Sequence, residues 1–468
     1  MKWERLISEH RWAEAQKPRH EVIAAEIEKI IRGGEIPPGE KLPTHRDLAR
    51  RIGVTTGIIS RAYALLVKRG LLSARVGDGS YVRELERVGE GEDGGDPLPG
   101  MIDLSHNVAV STDEIAAMQA TLAQLAQDPQ GMLRTVQYQS ESGSWRHREA
   151  AGHWFSRFGL SSDPNRVMIT HGAQHGLACV LRALVHPGDT ILAEALTYPG
   201  LMAVAREMRI QVMGLEMDEQ GIVPDALRRA VGMYHAKVLF CSPTLHNPTT
   251  STMGWMRRDE IASVALECKL VVIEDVVHAA MSREPLPALS TALPSNSFVL
   301  SSFSKVLAPG LRVGYVHAAP TWFPKVAHSM RADCWMAAPL LPEVVTRWLE
   351  QGEIDRLIGL QRKAIEARLE LLRQRLDGLH YRSSPDLPFV WLPLPEPWST
   401  AQFSAVLRES GVQVRIADHF AAGRSQPAHA VRISVNAVTS EEQLAHALDV
   451  VAATVRRQHG IQPTDDSA

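Results

Sequence analysis

Residues 301–315, SSFSKVLAPGLRVGY, place one lysine, Lys305, directly after an apolar run and before a Pro-Gly turn. That run, SFVLSSFS from residue 297, has the composition of a buried β-strand. Similar runs recur with helical patterns between them: VMIT at 167, TILAE at 190, KVLFCSP at 237, KLVVIED at 269 and VGYVHAA at 313. The alternation predicts a mostly parallel sheet with helices on both faces, whose ligand sites lie at the carboxyl ends of the strands.

Polar or aromatic side chains follow several of these strands. In chain order they are Ala173 and Gln174 in a GAQ turn, Tyr198, Asn247, Asp275, His278, and Lys305 with its neighbours Ser302 and Arg312. Each alone says little, because a lysine at a strand end is usually solvated, an aspartate is often a helix cap and a tyrosine is often core. Only their joint order predicts a site.

The joint order matches what pyridoxal phosphate requires of a protein. Lys305 offers an amine for a Schiff base, and Asp275 offers a carboxylate that keeps the pyridine nitrogen protonated. Tyr198 offers a ring for stacking, and Asn247 offers a donor to the ring oxygen. The GAQ turn opens a helix whose free N–H groups suit a phosphate, together with Ser302 and Arg312.

Residues 101 to 456 resemble the fold-type I aminotransferases in this order of motifs. The resemblance implies that Lys305 forms the Schiff base and Asp275 pairs with the pyridine nitrogen. It implies that Asn247 donates to the ring oxygen and that Ser302 and Arg312 bind the phosphate.

Two further residues match by the same resemblance. Arg432, in VRISVNA, matches an arginine that clamps a substrate carboxylate, for which its planar fork is suited. Tyr138, in YQSESG, matches a residue that reaches the phosphate of the neighbouring subunit.

The chain departs from that family in residues and loops around the expected substrate position, here called the substrate edge. His278 stands where a tyrosine is usual, His147 where a leucine is usual, and the loops NPTT and DLPFVWL lack the customary glycines. We expect the cofactor pocket to be kept and the substrate edge to be altered. His278 either hydrogen-bonds the ring oxygen and titrates near neutral pH, or only fills space.

The N-terminal region is basic, whereas the remainder is acidic. Residues 1–83 hold 16 Lys and Arg against 10 Asp and Glu, in a chain of 468 residues with a net charge of −3. Such an excess attracts a polyanion through counterion release, although surface solvation alone explains part of it. Charge by itself leaves nucleic-acid binding open, so the residue pattern must decide.

The residue pattern of this region predicts three helices and a β-hairpin. Isoleucines recur at i, i+4, i+7 and i+8 from Ile23, as on one face of a helix. Thr44 and Asp47 form a capping box for a second helix, and Gly53 ends it. A third helix covers VTTGIISRAYALLVKRG, and LLSAR and GSYV flank the turn VGDG. This order is typical of a winged helix-turn-helix, whose third helix enters the major groove. A small protein-binding domain is the alternative.

The stretch GEIPPGEKLPTHRDLARRIGVTTGIISRAYALLVKRGLLSARVGDGSYV resembles the DNA-binding domain of the GntR family of bacterial transcription factors. The resemblance implies double-stranded DNA with paired half-sites as the partner. The expected DNA contacts are Arg46, Thr55, Thr56, Ser60, Arg61, Arg75, Gly77 and Gly79. Gly57 stands where the family usually carries a polar or basic residue, so we expect an unusual recognition sequence.

The acidic stretch RELERVGEGEDGGDPLPG has no hydrophobic period and predicts a linker. We expect a winged helix at 1–83, the linker at 84–100, an α/β large domain at 101–330, a smaller α+β domain with part of the N-terminal arm at 331–456, and a tail at 457–468. No apolar run approaches the roughly 18 residues of a membrane span. The N-terminus lacks a signal-peptide core, and the four cysteines form no CxxC pair. These features predict a cytoplasmic protein with reduced core cysteines and no metal.

A GntR domain joined to an aminotransferase-like domain is similar to the MocR-like subfamily of GntR regulators, in which pyridoxal phosphate serves as a sensor. The resemblance implies a homodimeric transcription factor that responds to an amino compound or to the cofactor itself. Two alternatives stay open. One is a working aminotransferase with an accessory DNA-binding domain, and the other is a cofactor domain that serves only as a dimerisation scaffold.

Overall fold

The structure of the protein is a computed structural model. It describes residues 18–32, 35–36, 40–69, 71–75, 79–82, 100–110, 112–396, 398–423, 425 and 428–457. The predicted linker up to residue 99, the predicted tail from residue 458, the predicted DNA contact Gly77 and the side chain of Arg75 lie outside the described residues. The domain boundaries given above stay predictions.

The N-terminal region folds as three helices and a two-stranded hairpin. Its elements are α1 (Arg19–Arg32), α2 (His45–Ile52), α3 (Thr56–Lys68), β1 (Leu72–Arg75) and β2 (Gly79–Val82). The isoleucines of α1 are buried with Leu48, Ile59 and Leu66 in one apolar core. β1 and β2 pair in antiparallel register, with Leu72 opposite Val82. The predicted winged helix-turn-helix is therefore confirmed.

The second helix begins and ends as predicted, but its capping box is only half formed. Thr44 Oγ1 accepts a hydrogen bond from the Asp47 N–H at 3.2 Å, and Gly53 ends the helix with a φ of 70°. The Asp47 carboxylate pairs instead with Arg50 at 2.8 Å and Arg51 at 2.7 Å. Hydrogen bonds from these two guanidinium groups hold the pKa of Asp47 below its usual range.

A seven-stranded sheet forms the centre of the large domain, in the order β4-β12-β11-β10-β9-β5-β6. The strands are β4 (Val167–Thr170), β5 (Thr190–Glu194), β6 (Gln211–Leu215), β9 (Val238–Cys241), β10 (Val271–Asp275), β11 (Ser297–Ser302) and β12 (Gly314–Ala318). Only β12 runs antiparallel to its neighbours. The apolar runs predict every strand except β6, an edge strand that is only partly buried.

Helices cover both faces of this sheet, because successive strand residues point to opposite sides. In β11, Val299 packs into one core, whereas Phe298 and Leu300 pack into another. The helices of this part of the chain are α4 (Glu114–Ala126), α5 (Pro129–Val136), α6 (Trp145–Ser156), α7 (Gly172–Leu184), α8 (Pro199–Glu207), α9 (Pro224–Tyr234), α10 (Trp255–Glu267) and α11 (Phe323–Cys334). The strands β7 (Met217–Asp218) and β8 (Gly221–Ile222) form a small hairpin.

The C-terminal part forms its own antiparallel sheet, in the order β13-β16-β15. Its elements are α12 (Leu340–Glu350), α13 (Glu353–Arg375), β13 (Phe389–Pro393), α14 (Thr400–Glu409), β14 (Val412–Gln413), β15 (Arg415–Ile416), β16 (Ala430–Ser434) and α15 (Glu441–Arg456). β3 (Ile102–Asp103), which follows the predicted linker, pairs in parallel with β14. The architecture is thus the predicted α/β sheet with a smaller α+β unit.

Two further features bear on expectations from the sequence. Within the described ranges, no helix is both long and apolar enough to cross a bilayer. Cys179 and Cys241 are buried, whereas Cys268 and Cys334 are partly exposed, and all four are free. The expectation of core cysteines is therefore correct for two of them.

Candidate functional site

One pocket at the carboxyl edge of the central sheet brings the predicted cofactor residues together. The strands β4, β11, β10, β9 and β5 all end at this edge because they run parallel. The pocket is lined by Ala173, Gln174, Tyr198, Asn247, Asp275, His278, Ser302, Lys305 and Arg312, together with Ser242, Val277, Ser304 and Pro309. Residues far apart in the sequence are therefore neighbours here.

Lys305 lies in a tight turn directly after β11, and buried side chains hold that turn. Phe303 and Val306, on either side of the lysine, pack in the core. Lys305 Nζ donates a hydrogen bond to the carbonyl of Asn107 at 3.0 Å. The amine is thus held in place within the pocket by a backbone oxygen.

Asp275 is the last residue of β10, and its carboxylate lies where few water molecules can solvate the charge. Burial raises the pKa of its carboxyl to about 6, although the Val277 N–H, which donates to Oδ1 at 2.8 Å, and the charge of Lys305 oppose that rise. A carboxylate with this deficit of solvation gains from a cationic partner. A protonated ring nitrogen is such a partner.

The first turn of α7 and Arg312 form a concave surface suited to a phosphate. Gly172 opens the helix with a φ of 79°, and a Cβ there would lie 3.0 Å from Arg312 Nη2. The N–H groups of Ala173 and Gln174 belong to the first turn, which has no intrahelical acceptors for them. Ser302 Oγ lies nearby on β11 and donates to the Val313 carbonyl at 3.1 Å. The residues present therefore fit the phosphate of pyridoxal phosphate.

Behind this concave surface, three side chains have the spacing of metal ligands, but hydrogen bonds within the protein occupy the imidazole of the cluster. Single ligand atoms of His175, Asp333 and Cys334 lie within 4.8 Å of one another. His175 Nδ1, however, accepts the N–H of His171 at 3.1 Å, which leaves the ring proton on Nε2. Nε2 therefore donates to Asp333, 3.0 Å away, rather than offering a lone pair to a metal. The cluster braces the first turn of α7 against the end of α11.

Arg432 and Asn247 meet at the inner wall of the site. Arg432, in β16, is fully buried, with its guanidinium 5.3 Å and 5.0 Å from the ring centres of Phe389 and Phe420. Nη1 donates to Asn247 Oδ1 at 2.7 Å, and Nη2 donates to the Ser105 carbonyl at 2.6 Å. Because Asn247 Oδ1 is an acceptor here, its amide nitrogen is the atom that can donate to a ring oxygen.

His278 is neutral in this environment. Burial, assisted by the charges of Lys305 and Arg432, lowers the pKa of its imidazole to about 3. Nε2 lies 2.9 Å from the Asn107 amide nitrogen. The expectation that His278 titrates near neutral pH is therefore wrong, because the pocket places this imidazole beside two cations and away from solvent.

The sequence did not predict four of the lining residues, which are Ser242, Val277, Ser304 and Pro309. It also missed Ser105 and Asn107, which contact residues of the site. One predicted residue, Tyr138, does not line the pocket. Ser105 and Asn107 lie in SHNVAV, which has neither a strand period nor a turn signature. Tyr138 is 85 % exposed and contacts Trp335, with ring centres 6.1 Å apart. The pocket of this chain does not include it.

Four of the predicted DNA-binding residues are exposed on or beside α2 and α3. Thr55 is the N-cap of α3, and Thr56 and Arg61 on that helix are exposed, as is Arg46 on α2. Ser60 differs, because its Oγ lies 3.0 Å from His45 Nδ1 and is only partly exposed.

The hairpin adds one further predicted contact within the described residues. Gly79 adopts a φ of 128°, and a Cβ there would lie 2.9 Å from Lys41 Cε. A glycine at this position therefore lets the wing approach Lys41 closely.

Two known families match the chain in succession. Bacterial regulatory proteins of the gntR family match residues 19–82, and aminotransferase class I and II matches residues 99–451. The chain is also 30% identical over 447 residues to the uncharacterized HTH-type transcriptional regulator YdeF of Bacillus subtilis, covering 93% of this chain and 94% of YdeF. The chain therefore belongs to the MocR-like subfamily of GntR transcriptional regulators.

More distant relatives agree with this assignment. The HTH-type pyridoxine biosynthesis transcriptional regulator PdxR of Corynebacterium glutamicum is 25% identical, over 76% of this chain and 78% of PdxR. The kynurenine aminotransferase of Pyrococcus horikoshii shares the fold, with a TM-score of 0.69 and 22% identity over 76% of this chain and 91% of that chain. The protein is a DNA-binding transcriptional regulator, and its fold-type I domain has pyridoxal phosphate as cofactor.

Proposed function

We propose that the protein is a homodimeric regulator whose DNA binding changes when an amino compound, or pyridoxal phosphate itself, occupies the Lys305 pocket. The observation that carries this proposal is a pocket lined by nine of the ten predicted cofactor-binding residues, in a chain that also carries a GntR winged helix. A promoter with paired half-sites in the bacterial cytoplasm is its partner.

Each pocket residue has a defined role in this proposal. Bound pyridoxal phosphate supplies an aldehyde carbon that bonds reversibly to amines. Lys305 provides the resident amine, Asp275 holds a proton on the ring nitrogen, and Asn247 donates to the ring oxygen. Tyr198 stacks on the ring. The phosphate is held by Ser302, Arg312 and the N–H groups of Ala173 and Gln174.

Arg432 and His278 form the effector side of the pocket. A carboxylate fits the planar guanidinium of Arg432, whose position is already fixed by Phe389 and Phe420. Because Arg432 is fully buried, an effector reaches it only when the pocket opens. The neutral imidazole of His278 adds a hydrogen-bonding group without adding charge.

The exposed apolar surface of the cofactor domain supports the homodimer. Tyr138 and Trp335 contact each other, and α4, α5 and the start of α6 carry further large exposed side chains: Ile115, Leu133, Val136 and Trp145. Exposed apolar side chains of this size are typical of surfaces that another protein covers. A second copy covering this surface would bring Tyr138 to the partner's phosphate and place two winged helices on paired half-sites.

A working aminotransferase is the second candidate, and the complete cofactor pocket favours it. Transamination additionally needs Lys305, once released, to move a proton between two carbon atoms with close positioning. His278 and the altered loops change the surroundings of that step. We therefore expect turnover to be slow or absent.

The test measures turnover and DNA affinity on the same protein. A panel of amino acids and keto acids is offered to the pyridoxal phosphate-loaded protein, with genomic fragments that the full-length protein selects as the DNA. The expected result is a change of DNA affinity with at least one amino compound that disappears in Arg432→Lys. Fast turnover without any effect on DNA affinity would overturn the sensor in favour of the enzyme.

A further inference from the structure

The segment that follows the linker lies beside the cofactor pocket and contacts two of its lining residues, Lys305 and His278. Residues 102–110, here named the strap, begin with β3 and lie just beyond the chain that leads from the winged helix. The carbonyl of Asn107, in the middle of the strap, accepts the hydrogen bond from Lys305 Nζ at 3.0 Å. The strap therefore contacts the one amine that a cofactor must capture.

Two more contacts hold the same part of the strap against the effector side. Arg432 Nη2 donates to the Ser105 carbonyl at 2.6 Å, and the Asn107 amide nitrogen lies 2.9 Å from His278 Nε2. Asn107 is buried, and its Oδ1 has no hydrogen-bond partner in the described structure. The docked strap is thus held mainly by groups that ligands of this pocket would also use.

The ends of the strap are fixed to different parts of the domain. At one end the Ser434 N–H donates to the Leu104 carbonyl at 2.9 Å, beside the pairing of β3 with β14. At the other end the Val110 N–H donates to Gln361 Oε1 at 3.1 Å, on α13. The middle, with Ser105 and Asn107, is the part whose contacts depend on the pocket.

The chemistry of Lys305 makes its contact with Asn107 conditional. A lysine ammonium has three N–H donors, one of which serves the Asn107 carbonyl. When Nζ bonds to the aldehyde carbon of the cofactor, the aldehyde oxygen leaves as water and Nζ keeps at most one N–H. When an effector amine takes over that carbon, the bond to Nζ breaks and two hydrogens pass from the effector nitrogen to Nζ. The lysine then regains its donors, with no oxidant or reductant involved.

We infer that the strap transmits the state of Lys305 to the DNA-binding domain. The strap is docked while Lys305 is an amine and is loosened while Nζ is bonded to the cofactor. Asn107 is the positioning residue, because its carbonyl faces Lys305 and its amide faces His278. This inference rests on the proposed function, and it supplies the differential contact that a ligand needs to shift a conformational equilibrium.

Pyridoxal phosphate and pyridoxamine phosphate are matched probes of this inference. Both carry the ring and the phosphate, but only the aldehyde can bond to Lys305. Hydrogen exchange of the peptide covering residues 100–110 is compared in full-length protein saturated with each probe. With pyridoxamine phosphate the strap amides are expected to exchange about fivefold more slowly, which corresponds to one ordinary hydrogen bond. DNA affinity measured on the same samples should differ as well.

The variant Asn107→Ala removes the side-chain contact with His278 and should shrink both differences between the probes. Asn165→Ala is the matched control, because this exposed asparagine precedes β4 at the opposite edge of the sheet. The control should keep the wild-type differences. Absorbance of pyridoxal phosphate on each variant verifies that the pocket is intact.

The outcomes separate this inference from the function on which it rests. Equal strap exchange with the two probes, accompanied by unequal DNA affinity, overturns the strap and leaves the sensor standing. Unequal strap exchange with equal DNA affinity overturns the transmission from Lys305 to the DNA-binding domain, while a sensor that responds to occupancy of the pocket still stands. Slower exchange and changed DNA affinity together, both reduced in Asn107→Ala, support the strap.

Discussion

The winged helix and the cofactor domain present their arginines in opposite ways. Arg61 on α3 is exposed, whereas Arg432 in β16 is fully buried between two aromatic rings. An exposed arginine binds phosphates through counterion release, so the affinity that it provides falls as the salt concentration rises. A buried arginine with fixed hydrogen bonds is organised in advance for one planar anionic group. The first region is therefore suited to a long polyanion, and the second to discriminating among small molecules.

The contacting residues also differ in their separation along the chain. In the winged helix, Ser60 and His45 are 15 residues apart. In the cofactor domain, the contact of Lys305 with Asn107 spans 198 residues, and that of Arg432 with Ser105 spans 327. Local contacts need little loop closure, whereas distant ones form only when the whole domain folds.

The largest expected effect concerns the cofactor domain alone. In Lys305→Ala the covalent attachment of pyridoxal phosphate should be lost completely, because no other amine follows β11 in this pocket as the structure describes it. Borohydride reduction followed by mass spectrometry measures the attachment. Lys237→Ala, which removes an exposed lysine, is the control and should be labelled as the wild type is. A label on another lysine in wild-type protein would contradict the assignment.

The sequence predicts much of both regions because their signals are periodic or lie at strand ends. The α1 isoleucines and the apolar strands lead directly to the core, and the strand ends lead to Lys305 and Asp275. The strap could not be predicted, since SHNVAV has no period and its partners lie far away in the chain. Contacts of Ser105 and Asn107 are decided by tertiary packing.

Two side chains show the same limit at the level of single residues. Ser60 stays a predicted DNA contact, but the sequence did not indicate that packing of α2 on α3 places His45 within hydrogen-bond distance of its Oγ. His278 was expected to titrate, but burial and two neighbouring cations determine its pKa. Position in a motif predicts which residues approach a site, and the neighbours in three dimensions decide their charge and direction.

The second prediction concerns the exposed arginine. Arg61→Ala should weaken DNA binding by about 1–3 kcal/mol if the side chain contacts a base. Binding to a selected fragment at two salt concentrations measures the loss and its electrostatic share. Arg228→Ala removes an exposed charge from the cofactor domain and is the control for net charge. Unchanged affinity of Arg61→Ala would remove this residue from the DNA contacts.

The third prediction tests burial of ionisable groups in the cofactor domain. His317, in β12, is buried beside Phe155, and burial lowers the pKa of its imidazole to about 4 although the Ser161 carbonyl opposes this. Because the unfolded chain takes up a proton near pH 6.5 and the folded chain does not until about pH 4, stability falls as pH drops through this window. Between pH 7 and pH 5, His317 contributes at most about 2 kcal/mol to the loss of folding stability.

His317→Gln removes this proton-linked share while an amide still reaches the Ser161 carbonyl. Denaturant unfolding of both proteins at pH 7 and pH 5 measures it, and the comparison at pH 7 shows the cost of the substitution itself. The variant should lose less stability than the wild type between the two pH values. An equal loss in both proteins would show that His317 is not a buried neutral imidazole.

The smallest expected effect returns to the winged helix, where a single cap is a large share of a small domain's stability. Thr44 Oγ1 accepts a hydrogen bond from the Asp47 N–H at 3.2 Å. The Asp47 carboxylate forms ion pairs with Arg50 and Arg51 rather than the reciprocal hydrogen bond with the Thr44 backbone. Thr44→Ala should therefore cost about 1 kcal/mol at the start of α2. Amide exchange of α2 should rise about fivefold in the full-length protein, since opening that helix becomes easier by this amount. Thr44→Ser keeps the oxygen and should keep the wild-type exchange, while absorbance of the bound cofactor stays the same in both variants. A change in the cofactor absorbance would mean that the two regions are not as independent as their contact distances along the chain indicate.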